Sequence, residues 1–440
     1  MISRPNFTVH TSTLFDPKKK AFVENVSVVV NPRTGAIVSV WERSGPDVNE
    51  FGPDDIDLRG KVVMPGFVDA HTHIFLHDYN ERPAAEQHRD ESIVERVVRA
   101  TNHVRTALLA GYTTYRDLGS EAMQSFDANL RDSINRGIIP GPRLFVATHP
   151  LGSTGGFEVR TENYHGGTRA PPASDPADGP DGVRQALRRR VAEGCDVIKF
   201  YADYRRKIMR FPPSQQHPYK LGIEFPPADP NPNVPLFSQE EMNMIVEEAK
   251  LADLPVAAHA GGYKAAMMAV KAGVTSIEHG FEATEEFIQA MKQHGCIWVP
   301  TLAAAERFNK AGVKSLLAHT KRAHDLGVRL AAGGDTGVFP HGQGAREMEL
   351  MIEAGIPLED VLEACMIGGW ESCGKDQCGY RFGWFEEGNR ADIIALESDP
   401  RMDKYALRRI SFVMKDGRVW KENGVAVNMI ENHHTWDLGR

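Results

Sequence analysis

Short apolar runs alternate with amphipathic stretches along most of this chain, from residue 61 to about residue 372. The apolar runs are rich in Val, Ile and Ala, which is typical of parallel strands buried on both faces. The stretches between them repeat apolar positions at helical spacing, as in residues 91–109 and 238–252, and Ser238 and Glu241 are spaced as a capping box. Strand ends can be counted at residues 68, 115, 147, 199, 258, 278, 299 and 333. These repeated units predict an α/β fold, a (β/α)8 TIM barrel over residues 61–375.

The two ends of the chain carry a different pattern. Residues 26–41 contain two apolar runs joined by the turn-forming residues NPRTG. Residues 391–396 and 410–420 show the same pattern of short apolar runs joined by turn residues. Runs joined by short turns are typical of antiparallel strands. We therefore expect residues 1–60 and 376–440 to form together one small β-sandwich-like domain with a tail.

Two long segments interrupt the alternation. Residues 152–179 are rich in Gly, Pro, Thr and Asp, and residues 206–235 contain eight prolines. Each follows a predicted barrel strand, so both should lie at the mouth of the barrel, where long loops often act as lids. A surface insertion without catalytic value is the alternative for residues 206–235.

Composition and charge favour a small-molecule partner. The chain of 440 residues is 41% hydrophobic and 25% charged, which is typical of a soluble globular protein. Its net charge of -8 and its pI of about 6.1 argue against non-specific binding to nucleic acid. The first residues are polar and contain no apolar signal segment, and no run approaches the length of a transmembrane helix. We predict a cytoplasmic protein that binds neither nucleic acid nor a membrane.

The five cysteines are scattered and include no CxxC pair. This pattern is typical of reduced cysteines with a structural role. Cys373 and Cys378 are close enough in sequence for a disulfide to be considered.

Ionisable side chains end several of the predicted barrel strands. The stretch VVMPGFVDAHTH at residues 62–73 reads as one strand, and it ends in His71 and His73, which project to the same side because side chains alternate along a strand. Later strands end in the same way, at Lys199, His259, His279 and Asp335. Active sites of TIM barrels form at these carboxyl ends, and His and Asp together suit Zn²⁺, Mn²⁺ or Fe²⁺. The alternative for the two histidines alone is that they are ordinary core or surface groups.

Lys199 is the unexpected member of this set. A charged ammonium beside a cationic site is disfavoured by Coulomb repulsion at low dielectric constant. Carboxylation by CO₂ would turn the amine into a carbamate anion that can bridge two metal ions. The other ligands would then divide between the two ions, with His71, His73 and Asp335 on one and His259 and His279 on the other.

Four further motifs resemble one protein family. They are YRDLG at residues 115–119, KFYADYR at 199–205, IEHG at 277–280 and GDTGVFPHG at 334–342. Together with the double-histidine strand and the letters GNRADIIAL at residues 388–396, they make the chain similar to the amidohydrolase superfamily. Within it, the chain looks most like the imidazolonepropionase-like or Xaa-Pro dipeptidase-like branch, which includes prolidase-type carboxypeptidases and ochratoxin-type amidases.

The resemblance implies a binuclear metal site that uses the residues named above. In binuclear members the lysine of barrel strand 4 is carboxylated, and two divalent ions, with Zn²⁺ expected, activate a hydroxide that attacks the amide carbonyl. Asp335 would accept the proton of this hydroxide and pass it to the leaving amine. A polar group at the rim should stabilise the developing oxyanion, and the candidates are Tyr201, Tyr204 and His149.

One stretch departs from the family pattern. Relatives often carry TGGHG after strand 3, where this chain has TGGFE at residues 154–158. A substrate-contacting histidine could therefore be replaced, and His149 and His165 are the nearby substitutes. A loop histidine is more often exposed to solvent, which is the alternative for both.

Three further residues could contribute to the site or serve the fold alone. Arg116 could anchor a substrate carboxylate or orient a ligand histidine, and an internal salt bridge is the alternative. Glu278 alternates with His279 along its strand and is therefore expected to face the helices. His341 follows the Asp335 loop and could reach the pocket or lie on the surface.

The function expected from these features is hydrolysis of a C–N amide bond in a small molecule such as an N-acyl amino acid or a dipeptide. The alternatives are a mononuclear deaminase or a cyclic-amidine hydrolase of the imidazolonepropionase type, or a barrel without catalytic activity. Deaminases carry HxxE after strand 5, whereas Ala260, Gly261 and Gly262 follow His259 here, and the mononuclear sites generally lack the strand 4 lysine. Barrels of this kind often pair, which makes a homo-oligomer a further prediction.

Overall fold

The computed structural model describes most of the chain, with short gaps. The described residues are 5–48, 51–156, 171–205, 215–216, 219–222, 224–225, 232–308 and 312–429. His165, the second half of the TGGFE stretch and most of the proline-rich segment lie outside them.

Five strands come first, and all belong to one sheet, here called the terminal sheet. They are Phe7–Asp16, Ala21–Glu24, Val26–Asn31, Ala36–Glu42 and Ile56–Pro65. The hairpins predicted from the turn residues are antiparallel, but the first and fifth strands pair in parallel. The fully antiparallel sheet expected from the sequence is therefore wrong in this one pairing, because a long connection rather than a hairpin joins these two strands.

The predicted first barrel strand is in fact two strands that meet at Gly66. Ile56–Pro65 lies in the terminal sheet, and Phe67–Thr72 lies in the barrel. A Cβ atom at Gly66 would lie 2.1 Å from Oγ1 of Thr113, so only glycine fits where the chain crosses between the two. The apolar run looked continuous because both strands are buried on both faces.

Seven barrel strands are numbered here in chain order. Barrel strands 1 to 7 are Phe67–Thr72, Tyr112–Asp117, Arg143–Val146, Ile198–Tyr201, Val256–Ala260, Ser276–His279 and Ile297–Val299. Strands 1 to 3 pair in parallel with their neighbours, and so do strands 4 to 7.

Residues 330–336 act as barrel strand 8 and close the ring. Leu330 bridges to Trp298 of strand 7, and Thr336 bridges to Thr72 of strand 1. On the other side, the amide of Val197 donates to the carbonyl oxygen of Val146 at 3.3 Å, which joins strand 4 to strand 3. The TIM barrel predicted from the eight strand and helix units is confirmed.

Helices cover the barrel and connect its strands. They are Ala84–Asp90, Ile93–Leu109, Phe126–Asn135, Gly179–Ala192, Gln239–Leu251, Tyr263–Ala272, Glu285–His294, Leu302–Phe308, Val313–Leu326, Ala345–Glu353, Leu358–Glu363 and Gly369–Ser372. The capping box predicted at Ser238 and Glu241 is present. Across the described ranges, the helices are all too short or too polar to cross a membrane. A cytoplasmic location and a homo-oligomer stay predictions.

Short strands mark the loops at the mouth of the barrel. Asp203–Arg205, directly after barrel strand 4, pairs with Asn233–Pro235, and Gln215–Gln216 pairs with Glu224–Phe225. The proline-rich segment therefore begins and ends beside the carboxyl end of strand 4, at the mouth of the barrel. A third pair lies in the loop after barrel strand 3, where Leu151–Gly152 pairs with Asp175–Pro176.

The C-terminal strands complete the terminal sheet. They are Ile393–Leu396, Ile410–Lys415, Arg418–Glu422 and Val425–Ala426, and the first of them pairs with Ile56–Pro65. Val28 and Ile37 from the N-terminal half share one apolar cluster with Ile393 and Phe412 from the C-terminal half. One continuous nine-stranded sheet therefore contains strands from both ends of the chain and has an apolar core of its own. The division into a barrel and a separate β-domain at residues 60 and 376 stays a prediction.

The five cysteines are free thiols, including Cys373 and Cys378. Four are buried and Cys378 is half-buried. The prediction of reduced cysteines agrees with the structure.

Candidate active site

His71, His73 and Asp335 meet at the carboxyl end of the barrel. The Nε2 atoms of His71 and His73 lie 3.5 and 3.3 Å from Oδ1 of Asp335, and one ligand atom from each residue lies within 4.8 Å of the others. Strand 8 carries Asp335 to this position because the amide of Asp335 donates to the carbonyl oxygen of His71 at 3.0 Å. These three side chains can hold one metal ion.

His259, His279 and Lys199 adjoin that group. The ring centroids of His259 and His279 are 4.5 Å apart, and those of His71 and His279 are 5.0 Å apart. Lys199 is only 3% exposed, and after burial its positive charge is the largest cause that lowers the pKa values of His71, to about 4, and His259. The structure thus brings together all six residues that the sequence singled out as metal ligands.

His279 and Asp335 reach the site through unusual backbone conformations. Their φ angles are +74° and +63°, in the left-handed region that side chains other than glycine rarely adopt. At His279 this breaks the alternation of the strand, so both Glu278 and His279 lie on the inner side of the barrel. Non-glycine residues in this region cluster at functional sites.

Glu278 does not face the helices, as alternation predicted, but lies fully buried under His71. Its Oε2 atom is 2.8 Å from Nδ1 of His71, and its Oε1 atom accepts from Nη2 of Arg116 at 2.8 Å and from Oγ of Ser276 at 2.5 Å. Burial would raise the pKa of Glu278, but the charge of Arg116 and the hydrogen bond to His71 outweigh it and hold the pKa below its ordinary value. Glu278 is therefore an ionised partner that orients His71.

Arg116 is buried in the barrel interior, where its guanidinium group binds other residues of the protein and is out of reach of a substrate carboxylate. It is fully buried, and besides Glu278 it donates to the carbonyl oxygens of Ala70 and Ser372 at 2.6 and 3.2 Å. The substrate-binding role that we considered for Arg116 is therefore wrong, and its internal salt bridge is the correct alternative.

His279 and His73 also use Nδ1 for protein partners. Nδ1 of His279 lies 2.9 Å from Oγ1 of Thr301. Nδ1 of His73 lies 3.2 Å from the carbonyl oxygen of Gly119 and 2.9 Å from Oε1 of Glu121. These contacts leave the Nε2 atoms for a metal ion. Sequence reasoning missed Glu121, although it follows the YRDLG motif by only two positions.

Three buried polar atoms of the site fit a bound cation. Nε2 of His71, Nζ of Lys199 and Oδ1 of Asp335 have no hydrogen-bond partner among the described residues. Buried polar groups are nearly always paired, so three unpaired atoms at one place indicate a missing partner. Burial lowers the pKa of Lys199 to about 8, which makes the neutral amine accessible. The donor set therefore fits divalent metal ions and a modified lysine.

Aromatic side chains surround the second pair of histidines. The rings of Tyr201 and Tyr204 lie 5.1 and 5.4 Å from the ring of His259, and the ring of Phe281 lies 5.2 Å from that of His279. Phe281 is 44% exposed. Tyr201 and Tyr204 therefore lie beside His259, and their contact with a substrate stays a prediction. The exposed face of Phe281 adds an apolar wall.

His341 and His149 have other partners. His341 is buried, its Nε2 lies 3.0 Å from the carbonyl oxygen of Leu76, and its ring stacks on that of His103 at 4.2 Å. Its ring packs against the helix Ile93–Leu109 and the segment that follows barrel strand 1, so neither the predicted approach to the pocket nor the alternative of a surface position agrees with the structure. His149 is half-buried, and its Nε2 lies 3.0 Å from the carbonyl oxygen of Pro172.

Comparisons with known proteins place the chain in a family. The amidohydrolase family profile matches residues 62–421. Ochratoxinase from Aspergillus niger is 30% identical over 410 residues, which cover 83% of this chain and 77% of that protein. The crystal structure of A. niger ochratoxinase has a TM-score of 0.78 at 26% identity and covers 97% of this chain and 98% of that one. A Xaa-Pro dipeptidase with methionine bound in its active site has a TM-score of 0.76 at 27% identity and covers 95% of this chain and 100% of that one. The chain therefore belongs to the amidohydrolase family, a family of hydrolases that act on carbon–nitrogen bonds.

Proposed function

We propose that the protein is a binuclear metal-dependent amidohydrolase that cleaves the C–N amide bond of an N-acyl amino acid, a dipeptide or a related small amide. One observation carries the proposal. Four histidines, an aspartate and a lysine with a pKa lowered to about 8 by burial converge at the carboxyl end of one barrel.

The ligand assignment follows the side-chain positions. His71, His73 and Asp335 would hold one ion, His259 and His279 the other, and Lys199 would bridge them after its amine has taken up CO₂ as a carbamate. Zn²⁺ suits this set of imidazole and carboxylate donors. Divalent ions in such a site supply a water activated for attack at neutral pH and polarise the scissile carbonyl.

The chain's own residues position the ligands and move a proton. Glu278, Glu121 and Thr301 hold the imidazole rings through Nδ1. Burial would raise the pKa of Asp335, but His71, His73 and Lys199 outweigh it and keep the pKa below its ordinary value. Asp335 is therefore ionised at neutral pH, so that its carboxylate can accept the proton of the attacking water and deliver it to the leaving nitrogen.

The aromatic side chains at the mouth of the barrel favour a substrate with an apolar group beside the amide. Tyr201, Tyr204 and Phe281 surround His259 and His279, and the hydroxyls of the two tyrosines are the candidates to stabilise the developing oxyanion. The name of one relative agrees with this class, since a Xaa-Pro dipeptidase is named for the hydrolysis of dipeptides.

The deaminase and imidazolonepropionase alternatives fit the site less well. Gly261 and Gly262 follow barrel strand 5, and their amides donate to the carboxylate of Asp203 at 2.8 and 2.6 Å. Gly262 stands three residues after His259, where a deaminase with the HxxE motif would carry its acidic side chain. Lys199, buried among the histidines, is the residue that mononuclear sites generally lack.

Metal analysis combined with substrate assays tests the proposal. The purified protein is expected to bind two divalent ions per chain and to hydrolyse members of a panel of N-acyl amino acids and dipeptides. Lys199→Ala should lower turnover by at least about 100-fold, because the bridge between the ions is lost. Lys250→Ala, at an exposed lysine near the opposite end of barrel strand 5, is the matched control and should leave turnover unchanged. One metal ion per chain together with ammonia release from a cyclic amidine or aminopurine would contradict the binuclear amidase.

A further inference from the structure

Glu121 lies in a buried turn beside the proposed metal site, directly after barrel strand 2. Its Oε1 atom lies 2.9 Å from Nδ1 of His73, on the side of the ring opposite Asp335. The carboxylate is buried and thus removed from competing water. An imidazole that binds metal through Nε2 depends on an acceptor at Nδ1 for its tautomer and ring orientation. The carbonyl oxygen of Gly119 also lies 3.2 Å from Nδ1 of His73, but Glu121 supplies the charged acceptor.

The backbone holds Glu121 in a conformation that few residues adopt. Glu121 and Ala122 have φ angles of +52° and +66°, both in the left-handed region, and neither is glycine. Arg96, which is buried, donates from Nη2 to the carbonyl oxygens of Glu121 and Phe75 at 2.6 and 3.2 Å. Strained residues of this kind persist only where the surroundings determine them strongly. The turn therefore places this carboxylate at one fixed position.

The second carboxylate oxygen contacts a different element. Oε2 of Glu121 lies 3.1 Å from Nε2 of His88, on the short helix Ala84–Asp90. This helix belongs to the segment between barrel strand 1 and the helix Ile93–Leu109. Gln87 ties it to the strand end, since it accepts from the amide of His77 at 3.1 Å and donates to the His77 carbonyl oxygen at 2.8 Å. Glu121 thus joins a metal-facing histidine to the segment that covers the mouth of the barrel.

We propose that Glu121 is a positioning residue for His73 and that His88 acts through it, so that the Ala84–Asp90 helix contributes to the affinity of the metal site. The proposal rests on the proposed function, in which His73 is a metal ligand. His88 holds Glu121 in place, Glu121 holds the His73 ring, and the Nε2 atom of His73 is thereby directed to the cation.

Binding of Zn²⁺ to metal-free protein, in competition with a chromophoric chelator, tests this without any substrate. Glu121→Gln keeps the shape of the side chain and removes its charge, and it should weaken Zn²⁺ binding by about 10- to 100-fold. His88→Ala should weaken it by about threefold or more. The double variant should bind as Glu121→Gln does, because His88 acts only through the carboxylate.

The controls separate this inference from the proposed function. Glu86→Gln, at an exposed acidic residue on the same helix, should bind Zn²⁺ as the unaltered protein does. If the unaltered protein does not bind Zn²⁺, the proposed function itself is contradicted. Normal binding by the unaltered protein with both single variants within twofold of it would overturn the role of Glu121. A double variant that shows the product of the two single effects would overturn the pathway through Glu121.

Circular dichroism of each metal-free variant shows whether it is folded. If Glu121→Gln does not fold, His88→Ala and His88→Gln decide the question, since both replace a residue on a short surface helix. In that case unchanged Zn²⁺ affinity in both His88 variants overturns the proposal. The absorption spectrum of the Co²⁺ form adds a readout of ligand geometry, and it should change in His88→Ala but not in Glu86→Gln.

Discussion

At the residue scale, the lysine of barrel strand 4 has the property that carbamate formation requires. Only a neutral amine attacks CO₂, and an ordinary lysine is almost entirely protonated at neutral pH. Burial lowers the pKa of Lys199 to about 8, although Glu278 and Asp335 act in the opposite direction. About half of the Lys199 amines are therefore neutral at pH 8, against less than about 1% for an exposed lysine.

This shift predicts how carboxylation of metal-free protein depends on pH. A lowered lysine pKa means that the amine loses its proton as pH rises through about 8, so uptake of CO₂ should increase between pH 6 and pH 9 and level off above that. The measurement is the carbamate signal in ¹³C NMR of the metal-free protein after incubation with ¹³C-bicarbonate, at the same dissolved CO₂ concentration at each pH. Lys199→Ala is the control and should give no such signal. Uptake that starts only above pH 10 would contradict the shift.

The buried pair of Glu278 and Arg116 predicts a large effect on stability. Glu278→Gln leaves the fully buried Arg116 without its anionic partner, which should lower the free energy of unfolding by about 3–5 kcal/mol. Urea denaturation of the metal-free protein measures this. Asp403→Asn breaks a pair with Arg409 in which both side chains are 43% exposed, and it should change stability by less than about 1 kcal/mol. Equal effects of the two substitutions would refute the role of burial.

At the element scale, close backbone packing sets where barrel strand 8 lies. A Cβ atom at Gly333 would lie 2.6 Å from the amide nitrogen of His71 and 2.9 Å from the carbonyl carbon of Ala70. These are backbone atoms of strand 1 and cannot rotate away. Asp335 is held in the site two residues further on, so the packing of one glycine determines the geometry of a proposed ligand.

Gly333→Ala should therefore separate strands 8 and 1 and lower stability by about 1–3 kcal/mol, with weaker Zn²⁺ binding. Gly182→Ala is the matched control, because nothing lies within 4 Å of its added Cβ and it lies in the helix Gly179–Ala192. There the same substitution should stabilise the protein by about 0.5–1 kcal/mol. Thermal denaturation distinguishes the two, and a stabilising Gly333→Ala would show that the strands are not in close contact.

At the scale of the whole molecule, the terminal sheet is bonded to the barrel through buried charges. Nη1 of Arg143, on barrel strand 3, donates to Asp392 at 2.8 Å, and Nη2 donates to Asp416 at 2.6 Å. Burial would raise the pKa of Asp416, but the charges of Arg143, Lys415 and Arg390 outweigh burial and hold the pKa below its ordinary value. We therefore expect the terminal sheet and the barrel to unfold as one cooperative unit.

Arg143→Met should lower stability by about 3–5 kcal/mol, because Asp392 would stay buried without its cation. The control is Arg401→Met, which removes an exposed pair with Asp399 and should have an effect below about 1 kcal/mol. Calorimetry should show a lower melting temperature and one transition. An unchanged melting temperature in Arg143→Met would mean that the pair does not link the sheet to the barrel.

The sequence by itself determined the barrel and the proposed ligand set. Both depend on local periodicity: strands alternate, helices repeat, and the ionisable residue at each strand end reaches the same edge of a parallel barrel. His71, His73 and Lys199 could therefore be placed together although they are far apart along the chain. The capping box at Ser238 could be predicted for the same local reason.

Only the tertiary structure decided which residues support that set. Glu278 reaches His71 across 207 positions, and its orientation depends on a left-handed φ at His279 that no periodicity reveals. Gly66 divides one apolar run between two sheets, because apolar runs look alike whichever sheet buries them. The partners of Arg116 and His341 are carbonyl oxygens and rings from distant segments, and such contacts exist only once the barrel has closed.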